Sequence, residues 1–343
     1  MAPLEYSIPR GSLVLVTGAN GYIGSHVVDQ LLELGYNVRG TVRDKKPWLD
    51  EFFEKKYGKG RFESVAVQAI EEVGAFSTVA EGASGVVHVA SDVSFGTDPN
   101  IVIPIAVQGT LNALEAASKQ ASVKRFVITS SSAALLNPEP NRKGVKIDEN
   151  TWNENAVKLA WSGNMSGNVP EGLEGAIVYS ASKTEAEQAA WKWVKENKPN
   201  FVLNTVLPNF NFGQVLIPEH QSGSTMGLVR RFFKGDFTVL AFPPQHFIDV
   251  KDCARLHVAG LLDPSVKDQR IFGLVQEYNW TDIFTILRKL RPEIQLPKLP
   301  ENEARDYTEV IPKDKAEKLL QDFFGQPGWT SLEDSLKAGI ADL

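Results

Sequence analysis

The chain lacks several features that mark particular functional classes. With one cysteine, Cys253, in 343 residues it cannot form an internal disulfide, which fits a reducing compartment. It has no basic excess: 36 Lys and Arg face 42 Asp and Glu, a net charge of −6. That balance argues against a nucleic-acid footprint and against an anionic membrane partner. No run reaches the roughly 18 apolar residues of a membrane-spanning helix. The N-terminal MAPLEYSIPRG has no apolar stretch of the secretory kind, so the expected location is cytoplasmic. The five histidines, His26, His88, His220, His246 and His257, show no metal-ligand spacing, and no metal is expected. Repeats and low-complexity tracts are missing too.

What remains is an ordinary globular composition, 43% hydrophobic and 23% charged, in a chain long enough for one large domain or two intimately joined ones. Apolar runs alternate with amphipathic stretches. SLVLVTG reads as a buried strand entering a glycine turn, and YIGSHVVDQLLELG as a helix stopped by Gly35. Strands follow at NVRGTV, RFESVAV, GVVHVAS, VKRFVITSSS and FVLNTVLPN. Helices are expected over IVIPIAVQGTLNALEAAS, starting late or kinked because of Pro104, and over Tyr179–Glu196. Short strands, apolar on both faces and separated by helices, predict a doubly wound, Rossmann-like α/β fold with a parallel sheet. Residues 1–208 form the dinucleotide-binding domain in this reading. Residues 245–262 return to the main sheet as a strand and a helix, and 209–343 make a smaller, discontinuous substrate lobe.

VTGANGYIGSHVV spaces Gly18, Gly21 and Gly24 as G-x-x-G-x-x-G. One glycine allows the tight turn, one lets backbone approach a pyrophosphate, and one brings helix and strand close. Thr17, Tyr22 and Ile23 complete the expected cradle at the N-terminus of the helix, whose N–H groups attract phosphate. At the end of the second strand an acid would hold a ribose 2′-hydroxyl. Val42 stands there and Arg43 follows, with Lys45 and Lys46 nearby. Arg43 and Lys46 can grip a 2′-phosphate, which points to NADP(H). The competing reading leaves Arg43 solvated and makes Asp44 the ribose acid.

The strand-end run TSSSAA, Thr129–Ala134, precedes Tyr179 by about 50 residues, and Lys183 lies one helical turn after Tyr179. A phenol has an ordinary pKa near 10. An ammonium about 5 Å away, at an effective dielectric near 20, favours the phenolate by about 3 kcal/mol, or roughly two pKa units. The expectation is therefore a tyrosine tuned for acid–base work at neutral pH, beside a serine that hydrogen-bonds a reacting oxygen.

The glycine turn, the strand-end serine and Tyr-x-x-x-Lys, in this order, resemble the extended branch of the short-chain dehydrogenase/reductase superfamily. TGANGYIGSHVVDQLLELGYNVRGTVR, VKRFVITSSS, VYSASKTEAEQAAWKWVKEN and FIDVKDCARLHV resemble more narrowly its dihydroflavonol reductase-like subgroup, and within it the fungal NADPH-dependent aldehyde/carbonyl reductases. The resemblance implies that Ser131 polarises a carbonyl, Tyr179 gives the proton, and Lys183 lowers the phenol's pKa and binds the nicotinamide ribose. It also implies that Ala90, Ser91, Thr129 and Pro208 border the cofactor. Ser130 and Ser132 are the competing serines. Two positions depart from the family pattern: Ala69 stands where an Asp usually meets adenine, and Leu136 where flavonoid-reducing members carry Asn.

On the substrate side the candidates are Phe95, Phe210, Met226, Phe242 and Gln245, with Phe95 and Gln245 placed by the resemblance. Their apolar character suits a small hydrophobic carbonyl compound. The enzyme would act as a monomer or homodimer. One rival reading is a sugar-nucleotide epimerase or dehydratase with bound NAD, for which Arg230 and Arg231 would be the pyrophosphate contacts. The other is a non-catalytic, dinucleotide-sensing regulator.

Overall fold

The structure, a computed structural model, describes residues 6–165, 169 and 172–343. The first five residues of the N-terminal stretch read above lie outside that range. Strands and helices alternate from the start: β1 Leu13–Thr17, α1 Tyr22–Glu33, β2 Asn37–Val42, α2 Pro47–Tyr57, β3 Phe62–Ala66, β4 Gly85–His88, α3 Pro99–Ser118 and β5 Arg125–Thr129. A two-residue strand, β6 Lys146–Ile147, and the helices α4 Glu154–Ala160 and α5 Glu174–Asn197 precede β7 Val202–Pro208. Beyond it lie β8 Phe210–Phe212, α6 Ser224–Arg230, β9 Gln245–Asp249, α7 Val250–Leu262, β10 Arg270–Gly273, β11 Gln276–Tyr278, α8 Trp280–Leu290, β12 Glu309–Val310, α9 Lys313–Phe324 and α10 Leu332–Gly339.

Seven strands make one wholly parallel sheet in the order β10-β7-β5-β4-β1-β2-β3. Strand side chains alternate between faces. Val14, Val16, Val87, Val127 and Val206 therefore join α1, α7 and α9 in one core layer. Leu15, Val86, Phe126, Ile128 and Leu203 join α3 and α5 in the other. This is the doubly wound Rossmann-like fold expected from the apolar runs. Ligands in such sheets bind outside the carboxyl ends of the strands, where the order reverses, which here is beside β1 and β4.

The structure corrects four expectations. Residues 245–249 do not rejoin the main sheet: β9 pairs between β11 and β8 in a separate three-stranded sheet. Only the helix that follows, α7, lies against α1 and the main sheet. The seventh strand is instead β10, four buried residues, RIFG, alongside β7. Pro104 does not delay α3, which starts at Pro99 with the Asp98 carboxylate capping the Asn100 N–H at 2.9 Å. Pro104 falls early in the helix and removes only the bond that would run to the Asn100 carbonyl. Finally, α5 starts five residues before Tyr179, so the tyrosine sits in its second turn. By length and composition α3 could cross a membrane, yet it packs against α5 inside the fold.

Candidate active site

At the end of β1, Gly18 takes φ +67, and a Cβ there would press on the Ala90 backbone at 3.1 Å. A Cβ on Gly24 would stand 2.2 Å from the Gly18 carbonyl oxygen, so the first turn of α1 needs glycine to sit against the loop. Helix α1 opens on Gly21 with no side chain capping it, which leaves its first N–H groups and positive end for an anion. The Thr17 hydroxyl accepts from the Val89 and Ala90 N–H groups, each at 3.0 Å, and meets His88 Nδ1 at 2.9 Å. Both its lone pairs are engaged, so its proton goes to Nδ1 and His88 carries hydrogen on Nε2. Burial, and then Lys183, pull His88 down to about 3, which keeps it neutral. Thr17 thus binds the β4 loop, with Ala90 and half-buried Ser91, to the glycine turn. The Tyr22 ring is turned inward, its hydroxyl donating to the Gly213 carbonyl at 2.8 Å, so its side chain belongs to the smaller lobe's core. Ile23 is half-buried beside it.

Arg43, one residue past β2, and Lys45 are exposed, and Lys46 is half-buried at the start of α2. None of the three has an acidic partner among the described residues, whereas Arg39 on β2 is paired with Glu63 at 2.7 Å. Uncompensated cations next to an uncapped, glycine-lined helix terminus fit a phosphorylated dinucleotide. Half-buried Ala69 presents no polar side chain for the base.

Three strand-end hydroxyls point in different directions. The Thr129 hydroxyl contacts His257 Nε2 at 2.7 Å, while His257 Nδ1 reaches the Cys253 carbonyl at 2.8 Å. A carbonyl only accepts, so Nδ1 bears the proton and Thr129 donates to Nε2. Ser130 turns inward and donates to Glu187 Oε2 at 2.6 Å. Ser131 accepts from the Ala133 N–H at 3.1 Å, capping the short turn Ser132–Ala134, and its hydroxyl favours the ionised form of the Tyr179 phenol. Ser132 is buried. Of the three serines, Ser131 is the one that meets the tyrosine.

Lys183 lies one turn beyond Tyr179 on the same helix face, buried, with Nζ donating to the Thr129 carbonyl at 2.8 Å. Burial pulls its ammonium down to about 8, and the Glu187 carboxylate works against that. The phenol departs from the sequence expectation. Burial raises the Tyr179 pKa, and the opposing influence is the Ser131 hydrogen bond. The lysine does not set the phenol's acidity here because Nζ is turned to the Thr129 carbonyl, with Glu187 as its counter-charge. Glu187 itself was not singled out in the sequence, although its spacing of four from Lys183 was a usable signal.

On the substrate side, the Phe95 ring lies 4.9 Å from the Tyr179 ring at 33°. Phe95 is 46% exposed and adopts φ +54. Its loop is seated on α5, where a Cβ at Gly175 would come within 2.2 Å of the Phe95 carbonyl oxygen. Phe210 contacts Phe242 at 5.9 Å and Tyr278 at 6.2 Å, and Gln245 pairs with Tyr278 across the small sheet. Buried Pro208 ends β7 just before them. Met226 is corrected: it is wholly buried, packed so tightly on Gly339 that a Cβ there would be 2.3 Å from its sulfur. It serves the lobe's core. Arg230 is held by both oxygens of Asp342 at 2.6 and 2.7 Å and by the Gly339 carbonyl, and Arg231 faces Asp236 at 3.8 Å.

The chain matches the NAD dependent epimerase/dehydratase family over residues 14–155. It is 44% identical to ketoreductase adrE of Penicillium rubens, over 98% of each chain. It is 42% identical to aldehyde reductase 2 of Sporidiobolus salmonicolor, again over 98% of each. Among solved structures it resembles yeast methylglyoxal/isovaleraldehyde reductase Gre2 complexed with NADPH, with TM-score 0.77 and 26% identity over 96% of this chain and 97% of that one. The chain belongs to the NAD-dependent epimerase/dehydratase family, the extended branch of the short-chain dehydrogenases/reductases.

Proposed function

We propose that the protein is an NADPH-dependent reductase that converts small hydrophobic aldehydes, ketones and keto esters to alcohols. The observation that carries this is the meeting, at the carboxyl end of β5, of Ser131, the buried Tyr179 phenol that it acts on, and Lys183, which lies one turn on and is held by the Thr129 carbonyl. The glycine turn from Gly18 to Gly24, with Arg43 and Lys46, would hold the phosphates. Ala90, Ser91, Thr129 and Pro208 would border the nicotinamide, and Lys183 its ribose. Residues 1–208 would then carry the cofactor and 209–343 most of the substrate wall. When bound, the cofactor supplies a hydride to the carbonyl carbon. Ser131 steadies the carbonyl oxygen, and Tyr179 gives it the phenolic proton. Burial keeps that phenol protonated, the form a donor needs. As the proton leaves, Ser131 favours the phenolate, and the positive charge of Lys183 on the same helix face would favour it too. The relatives named ketoreductase and aldehyde reductase support the reading, as does the neighbour solved with NADPH. Leu136 in place of Asn speaks against a dihydroflavonol substrate. With Arg230 engaged by Asp342, a sugar-nucleotide pyrophosphate loses one of its two expected contacts.

The test is NADPH oxidation over aldehydes, ketones, β-keto esters and diketones, repeated with NADH. Stoichiometric consumption with NADPH is expected. Purified protein that retains NAD and oxidises no NADPH with any carbonyl would sink the reading in favour of an epimerase-like enzyme.

A smaller change probes the pocket. Phe95→Ala is expected to raise the KM for aromatic carbonyls by about two- to tenfold, the range of one lost aromatic contact. Its melting temperature should stay near wild type, since Phe95 is nearly half exposed. A large drop in Tm with KM unchanged would make Phe95 a structural residue.

A further inference from the structure

Behind the lysine lies a carboxylate that takes no part in the chemistry above. Glu187 is 1% exposed and continues the face of α5 that carries Tyr179 and Lys183 at intervals of four. Its Oε2 accepts from the Ser130 hydroxyl at 2.6 Å and Arg270 Nη2 at 3.1 Å. Its Oε1 accepts from the Thr205 hydroxyl and Arg270 Nε, both at 2.8 Å, and from Trp191 Nε1 at 3.3 Å. Five donor groups thus converge on one buried carboxylate. Arg270 comes from β10, spends further N–H groups on the Thr151 and Glu149 carbonyls, and stacks at 3.7 Å on the Trp152 ring. The pair is polarised relative to the lysine. Glu187 and Lys183 line one cavity of about 10 Å³ together with Ser130. Arg270 lines a separate cleft of about 610 Å³.

We propose that Glu187, anchored by Arg270, is the positioning residue for Lys183: it is the counter-charge that keeps the buried ammonium protonated, and through Ser130 it locks the strand end that presents Ser131 and the Thr129 carbonyl. The proposal rests on the reductase reading. The other polar groups that share the cavity with Lys183 are Thr129 at the end of β5, Ser130 after it, His88 on β4, Ser91 beyond that strand and Thr110 on α3, and Tyr179 lies one turn back on α5. His88 stays neutral at about 3, and the phenol is raised. Glu187 is thus the only charge facing the ammonium among the described residues. A lysine that burial has drawn down to about 8 loses its charge near neutrality once that carboxylate is gone.

Two variants break the same ion pair with opposite consequences for Lys183. Glu187→Gln removes the negative charge and leaves the guanidinium unbalanced, so the lysine deprotonates more easily. The alkaline limb of kcat should move down by about one pH unit, a roughly fivefold loss at pH 8 relative to wild type. Arg270→Gln leaves the carboxylate unbalanced and should move the limb up. KM for NADPH should change little in either. In cofactor-free protein the ¹³Cε titration of Lys183, assigned by its loss in Lys183→Met, should shift the same two ways. Both variants lose a buried pair and some thermal stability, so stability alone cannot produce opposite pH shifts. Limbs and titrations that stay at the wild-type pH, or move together, would overturn the proposal. Should Glu187→Gln not fold, Arg270→Gln decides: no upward shift overturns it. If wild type reduces no carbonyl, the reductase reading has failed, while the Lys183 titration still tests the role of Glu187.

Discussion

Tyr179→Phe is expected to lower turnover by about 10²- to 10⁴-fold, the contribution of a positioned general acid, while leaving NADPH affinity within about twofold. The substitution removes one oxygen. The ring remains, and with it the 4.9 Å contact to Phe95. Ser131 keeps its bond from Ala133, and Lys183 its bond to Thr129. What disappears is the hydroxyl that, in the proposed reaction, gives its proton to the substrate oxygen. Single-turnover kinetics with cofactor titrated by fluorescence separates the two effects. A variant retaining most of its kcat would remove Tyr179 from the donor role. The wild-type pH profile bears on the same point. The phenol is raised above its ordinary value, so it stays protonated through neutrality, and the first alkaline loss should come from Lys183 near 8. Each loss runs in one sense, since raising pH takes the proton from the donor and the charge from its neighbour.

Arg43→Ala should weaken NADPH by about 10- to 100-fold and NADH by less than about threefold, the size of one or two lost charge-assisted hydrogen bonds. The guanidinium is exposed and has no acidic partner among the described residues, so its removal leaves no buried group stranded and should not destabilise the fold. Fluorescence titrations with both cofactors give the ratio. Equal losses for the two would mean that Arg43 does not meet the 2′-phosphate, and would return attention to Asp44.

The doubly wound sheet could be read from the sequence because each of its first six strands is a local apolar run beside a local helix. The glycine turn and the Tyr179–Lys183 pair could be read for the same reason: their meaning lies in spacings of three and four. What escaped depends on distant contacts. Four residues of β10 look like any apolar fragment until β7 offers its edge. β9 has the composition of a main-sheet strand, yet its partners are β8 and β11. Met226 has the hydrophobicity of a pocket residue but lies under Gly339, more than a hundred positions later. The direction of the Tyr179 shift could not be found from its neighbour in sequence, because burial against the surrounding fold outweighs a charge turned elsewhere. Glu187 went unnoticed because its partner, Arg270, lies 83 residues away.

That long reach bears on how the molecule is made. A nascent polypeptide that has emerged from the ribosome only as far as β7 already contains the glycine turn, the serine, the tyrosine and the lysine. It holds Glu187 without its guanidinium, and such a carboxylate resists burial. The face of α5 that carries Tyr179, Lys183 and Glu187 is therefore expected to reach its final packing only once β10 is in place. A chain truncated upstream of Arg270 is expected to hold Ser131, Tyr179 and Lys183 and yet lack the ion pair that anchors Glu187 behind them.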